Sequence, residues 1–146
     1  MVLTTSLLLL LSLALLAPGL SAEQCVLTGW WINDLGSDMT IGALSSNGEF
    51  TGTFHTAVMT PTKDIKASPL VGIQHTKTQP TFGFTVNWNY TESTTVFTGQ
   101  CFVDTEGKEI LKVTWLLQSH VNSIKDNWKA TKVGADTFTR RAEVME

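Results

Sequence analysis

The chain reads as an all-β protein, an eight-stranded antiparallel up-and-down β-barrel. Three observations predict this. Beyond residue 22 the apolar residues recur with a period of two, in stretches rich in Thr, Val, Ile, Phe and Trp. Those stretches are separated by short turn sequences, which suit hairpins between neighbouring strands. No stretch carries amphipathic spacing over the length of a helix. Closing a meander of eight strands removes its exposed edges and leaves room inside for one small ligand. A two-sheet sandwich would have the same strand count and is the structural alternative.

The elements follow in order. A first strand is predicted near Leu27–Asn33, ended by the tight-turn sequence Asn33-Asp34-Leu35-Gly36. A second runs near Met39–Leu44 and turns at Ser46-Asn47-Gly48. The third, Glu49–Val58, places Phe50, Gly52, Phe54, Thr56 and Val58 on one face. A longer polar loop, Thr60-Pro61-Thr62-Lys63-Asp64, leads to the fourth strand near Pro69–His75. The fifth, Thr81–Tyr90, aligns Phe82, Phe84, Val86 and Trp88. The sixth, Thr94–Val103, aligns Thr95, Phe97 and Gly99, and turns at Asp104-Thr105-Glu106-Gly107. The seventh, Glu109–Leu117, aligns Leu111, Val113, Trp115 and Leu117. Val121 to Asn127 is a polar connector with room for a short helical turn. The eighth strand, Trp128–Thr139, carries Trp128, Gly134, Asp136 and Phe138 on one face.

The N-terminal stretch lies outside this pattern. Leu7 to Leu16 is a short apolar run followed by Ala17-Pro18-Gly19 and the small residues Ser21 and Ala22. It is too short to span a bilayer and reads as a signal peptide, residues 1–22, although no Lys or Arg precedes it. The expected mature chain, residues 23–146, is then one secreted domain with a single core and no membrane span. The net charge of −3 argues against nucleic acid as a partner, because phosphate binding needs a basic patch.

The two cysteines, Cys25 and Cys101, read as one disulfide in a secreted chain. A metal site is the rival reading. It is poorly supported, because His55, His75 and His120 are scattered without ligand spacing. Asn89-Tyr90-Thr91 is an N-glycosylation sequon at Asn89.

Faces that mix aromatics with Asn, Thr or Asp are unusual for a dry core, since a buried polar group costs free energy unless paired. Trp31 shares a face with Asn33, and Trp88, Trp115 and Trp128 lie in three further stretches. Each alone is better read as core or interface. Four together suggest a box for a small, partly polar molecule. Asp136 falls on the inferred inner face, where a carboxylate can accept a strong hydrogen bond from a ligand N–H. The plain alternative is a rim Asp that faces water. Catalysis finds little support: there is no acid/base carboxylate pair, no Ser-His-Asp pattern stands out, and His55 has the parity of an outward residue. The expectation is a binding protein, not an enzyme, with no cofactor and no metal.

Several ungapped runs resemble the avidin family of biotin-binding proteins. They include Asn33-Asp34-Leu35-Gly36-Ser37, Gly48-Glu49-Phe50-Thr51-Gly52-Thr53 and Thr78-Gln79-Pro80-Thr81-Phe82-Gly83-Phe84-Thr85-Val86-Asn87-Trp88. Others are Glu92-Ser93-Thr94-Thr95-Val96-Phe97-Thr98-Gly99-Gln100-Cys101 and Asp126-Asn127-Trp128-Lys129-Ala130-Thr131. Gly29-Trp30-Trp31 also fits a looser G-x-W seen in related barrels such as lipocalins, so a carrier of another small hydrophobic ligand is the alternative function.

The resemblance implies a secreted homotetramer that holds biotin at one end of each barrel. It implies that Asn33, Ser37, Phe54, Thr56 and Asp136 surround the ureido ring, and that Thr95 meets the ligand's sulfur. Trp88, Phe97 and Trp115 would wall the ring and tail, with Leu35, Val58, Tyr90 and Leu117 nearby. Met59, Thr60, Thr91 and Ser93 match positions that hold the carboxylate tail, and Trp128 matches the residue lent to the neighbouring subunit's site. Trp31 is better explained as barrel packing.

The chain departs from the family pattern in places that bear on affinity. Phe54 stands where a Tyr would donate to the ureido oxygen, Met59 replaces a hydroxyl residue, and Pro61 lacks the backbone N–H expected there. Asp136 matches the Asp of bacterial relatives and would strengthen one acceptor. Thr114 and Ala135 are small at positions of a subunit interface, which bears on tetramer strength. Binding is therefore expected to be tight but below the family's best. Sequestration against microbes and storage or delivery of the vitamin suit such a protein equally.

Overall fold

The computed structural model describes residues 24–57 and 67–142. The expected signal peptide and the site positions Val58, Met59, Thr60 and Pro61 lie outside the described residues. The strands are β1 (Gly29–Asn33), β2 (Asp38–Ile41), β3 (Glu49–His55), β4 (Ser68–Gln74), β5 (Thr81–Asn87), β6 (Ser93–Val103), β7 (Glu109–Ser119) and β8 (Thr131–Arg140). Each pairs antiparallel with the next, and β8 returns to β1 through Trp31↔Arg140, Ile32↔Thr139 and Asn33↔Phe138. The barrel is closed, so the sandwich alternative is excluded.

Register confirms the inferred faces. Leu111, Val113 and Trp115 lie directly opposite Phe138, Asp136 and Gly134. Thr95 and Phe97 lie opposite Leu117 and Trp115. Phe54, Phe82, Phe84, Val86, Thr95, Phe97, Leu111, Val113 and Phe138 are all buried. His55 points outward, beside Asp38 at 3.1 Å on the neighbouring strand.

Aromatic rings fill the middle of the barrel. Phe82 stacks near Phe84 at 6.1 Å between centroids, Phe84 on Phe97 at 4.6 Å, and Phe97 on Phe54 at 5.5 Å. Phe54 meets Trp88 edge-on at 5.3 Å. Each ring removes a large apolar area from water, and the offset and edge contacts add to that gain.

One end of this column is plugged. The segment before β1 folds across it rather than extending the strand to Leu27, which corrects the expected start. Gly29 has φ +132°, and a Cβ there would collide with the Arg140 guanidinium. Leu27 is fully buried; its N–H donates to Gln74 Oε1 (2.8 Å), and its carbonyl accepts from the Trp31 indole (2.8 Å). Arg140 clamps the strap by donating to the carbonyls of Val26 and Thr28 while paired with both carboxylate oxygens of Glu109. Its guanidinium also lies 4.2 Å from the centre of the Trp31 ring. The Cys25–Cys101 disulfide forms as expected and ties the strap to β6 across 76 residues. Closing that loop stabilises by about 4–5 kcal/mol in the chain-entropy picture.

The last strand is also corrected. Trp128 belongs to a short 3₁₀ helix, Ile124–Lys129, and not to β8. Ser123 caps this helix, its hydroxyl accepting from Lys125 N–H, and Asp126 sits in the first turn. The expected helical turn in the connector is present but runs two residues further than its polar composition suggests. The third and fifth strands likewise end earlier than expected, at His55 and Asn87.

The outer face carries an unbroken apolar row. Val96, Leu116 and Val133 pair in sequence across β6, β7 and β8, and Val133 is 66% exposed. Val71 and Ile73 on β4 are exposed as well.

Candidate functional site at the open end of the barrel

Above the phenylalanine column the barrel opens into a cavity of about 580 Å³. Turns joining β1 to β2 and β5 to β6 frame its mouth. Asn33, Leu35, Ser37, Phe54, Thr56, Trp88, Tyr90, Thr91, Thr95, Phe97, Trp115, Leu117 and Asp136 line it. All of these are expected site residues, contributed by β1, β3 and the residue just after it, β6, β7, β8 and the two turns, Trp88 opening the second. Ser93 stands just outside the lining and is hydrogen-bonded to Thr91. Trp128 does not line its own chain's cavity and is 82% exposed.

The polar end has a defined sense. Asn33 Oδ1 accepts two backbone N–H groups, from Leu35 (3.1 Å) and Ser37 (2.9 Å). This side-chain mimic of a turn fixes the amide, so Nδ2 faces the opposite way. Nδ2 donates one hydrogen to Asp136 Oδ2 at 3.2 Å and keeps a second to offer. Ser37 Oγ accepts from Ala57 N–H (2.9 Å), which leaves its own O–H to donate. Thr95 Oγ1 accepts from the Trp88 indole (2.8 Å), so its hydroxyl also becomes a donor. Asp136 is the acceptor of the set, taking a hydrogen from the Asn33 amide.

Burial pushes the Asp136 carboxyl above its ordinary value. The Asn33 and Trp115 hydrogen bonds pull it back, and the nearby Asp34 charge pushes it up again. Burial raises the Tyr90 phenol too, opposed by a hydrogen bond with the Thr56 side chain.

The walls are set by packing. Trp88 stands between Phe54 and Tyr90, whose ring lies tilted against it at 5.7 Å. Trp115 lies flat against Gly134, where any Cβ would overlap the indole. Gly134 and Phe138 therefore act from behind the pocket: one makes space for a wall, the other packs edge-on against Phe54 at 6.2 Å. The shared parity of Gly134 with Asp136 was the available signal for the first of these.

A closed barrel, plugged at one end and holding an aromatic-walled, polar-floored cavity at the other, is a small-molecule binding barrel. Residues 21–141 match the Avidin family. The chain is 68% identical to avidin of Gallus gallus over 137 residues, covering 92% of this chain and 90% of that one. It is 63% identical to avidin-related protein 4/5 of Gallus gallus, with both chains covered in full. Among solved structures it is similar to a biotin binding protein from chicken, with a TM-score of 0.76 and 54% identity over 82% of this chain and all of that one. The chain belongs to the avidin family. This removes the ground for the lipocalin-like alternative, which rested on the loose Gly29-Trp30-Trp31 motif.

Proposed function

We propose that this chain is a secreted, non-enzymatic biotin-binding protein, working without cofactor or metal. The observation that carries the reading is the sense of the cavity's polar end. Asn33 Nδ2 and the Ser37 hydroxyl are donors beside the acceptor Asp136. That is the complement of a cyclic urea, whose carbonyl accepts while its flanking N–H donates. Trp88, Phe97 and Trp115 supply flat apolar walls for the fused ring and chain, and Thr95 offers its hydroxyl where a thioether would lie. Thr56 completes the ring of polar partners, with Leu35, Tyr90 and Leu117 around the mouth. Thr91 and Ser93, with Met59 and Thr60, would meet the valeryl carboxylate, and Val58 would lie beside the apolar tail.

Copurification supplies the test. Protein secreted into biotin-containing medium should carry the vitamin through exhaustive dialysis and release it on denaturation. Recovery of a different apolar molecule, with no biotin and no displacement by it, would overturn the reading.

The proposal extends to assembly and processing. Residues 1–22 act as a cleaved signal peptide. The exposed Val96–Leu116–Val133 row supports burial against another copy, since apolar patches of this kind favour association. Assembly as a homotetramer would place the exposed Trp128 over a neighbour's cavity. Asn89 is exposed in the turn after β5, and its Nδ2 donates to the Ala67 carbonyl at 2.8 Å. A glycan on that nitrogen leaves one hydrogen for the same bond. Sequestration or storage of biotin is the biological role this binding would serve.

A further inference from the structure

We infer that Trp88, besides walling the cavity, is a positioning residue that turns the Thr95 hydroxyl hydrogen toward the ligand. The site then selects a ligand ring that bears an acceptor at that point; the inference rests on the biotin reading above. Trp88 follows β5 directly, and its backbone N–H donates to the Ser93 carbonyl at the start of β6 (3.2 Å). Its side chain reaches further along the same strand, where Nε1 donates to Thr95 Oγ1 at 2.8 Å. The indole is held by two neighbours, Phe54 edge-on at 5.3 Å and the tilted Tyr90 ring at 5.7 Å. Thr95 lines the cavity yet is only 2% exposed. Among the described residues its side chain hydrogen-bonds to Trp88 alone, and there it accepts.

A threonine hydroxyl has one hydrogen and two acceptor directions. The indole N–H fills one of those directions, so the Thr95 hydrogen is turned away from Trp88. A buried hydrogen without an acceptor costs free energy, and a ligand atom in the cavity can remove that cost. The ring sulfur of biotin is such an atom, although a thioether accepts weakly. A methylene in its place is not one, and it would seal the hydrogen from water with nothing to bond. Sites of this kind discriminate because the wrong ligand leaves a polar group of the protein unpaired. Trp88 sets the discrimination here. Without its N–H, Thr95 Oγ1 regains a free lone pair, and its hydrogen can settle away from the ligand.

Two ligands and a small set of variants of the full mature protein test this. Biotin is compared with the analogue carrying CH2 in place of the ring sulfur, and the ratio of their off-rates is read. Thr95→Val gives the baseline ratio that ring shape alone produces. The wild type and Thr95→Ser are expected to favour biotin by roughly three- to tenfold above that baseline. Trp88→Phe loses wall area and weakens both ligands, but its ratio should fall to the baseline and move no further when combined with Thr95→Val. A Trp88→Phe ratio equal to the wild type's would overturn the inference, because Trp88 would then be a wall only. A wild-type ratio already at the baseline would overturn it too. If Trp88→Phe lowers the ligand-free thermal midpoint, benzothienylalanine at position 88, which keeps the fused ring and removes the N–H, is read in the same way. A wild type that binds no biotin would overturn the parent reading, and it is distinguishable from an unmoved ratio in a wild type that binds.

Discussion

Asn33 Nδ2 donates to Asp136 Oδ2 at 3.2 Å, although the two residues lie 103 positions apart. The contact exists because the barrel closes β8 onto β1, pairing Asn33 with Phe138. It joins the site's fixed donor to the one carboxylate among the described lining residues. Most of the site's expected behaviour follows from this pair and from the rings behind it.

Binding should depend on pH through Asp136. Its carboxyl is raised by burial, with Asp34 adding to the rise. The ionised carboxylate accepts from a ligand N–H more strongly than the protonated carboxyl does. Affinity should therefore be flat above the raised value and fall as pH drops through it. Ligand-free stability should move oppositely: a raised value means the ionised form costs folding energy, so this contribution is full at low pH and lost as pH rises. Biotin off-rates across the range from about pH 7 to pH 4 would show the first effect. Asp136→Asn should flatten that profile, and an unchanged slope would remove Asp136 from the site.

Phe54→Tyr should tighten binding. Phe54 packs against Trp88, Phe97 and Phe138 and lines the cavity, so a para hydroxyl would add a polar group to the lining. One added donor is worth about 1–3 kcal/mol, roughly ten- to a hundredfold. A slower biotin off-rate is the required readout.

Gly134→Ala should damage the site from behind. The new methyl overlaps the Trp115 indole, so the wall must shift into the cavity. Such overpacking costs about 1–3 kcal/mol. Biotin affinity should drop at least as much as the thermal midpoint suggests, with the loss absent in a Trp115→Phe background that leaves room.

Trp128→Ala tests the shared site. The indole makes no wall of its own chain's cavity and is largely exposed there. If a neighbour uses it, release should accelerate by roughly thirtyfold or more, with monomer folding intact. An unchanged off-rate would leave each chain binding alone.

Much of the fold was legible because a strand's two faces are written into alternate residues, and short turn sequences fixed the register between them. Inner-face residues such as Phe54, Thr95, Phe97, Trp115 and Asp136 could be placed by parity alone. What parity cannot see is contact between elements. The Asn33 amide's orientation depends on two backbone donors in its own turn. The strap before β1 and its Arg140 clamp were also hidden, because Leu27 continues the strand's alternation while Gly29 breaks its backbone. Trp128 was misplaced onto a strand for a local reason: Ser123 and Asp126 form a cap whose helix runs through the tryptophan.

The central claim is that the cavity above Phe54 binds biotin between Trp88 and Trp115. Titrating the mature protein with biotin while recording tryptophan fluorescence tests it most directly, since both indoles line that cavity. A saturating change in emission at one biotin per chain, complete well below micromolar ligand, is the predicted result. An emission spectrum unchanged at micromolar biotin would contradict it.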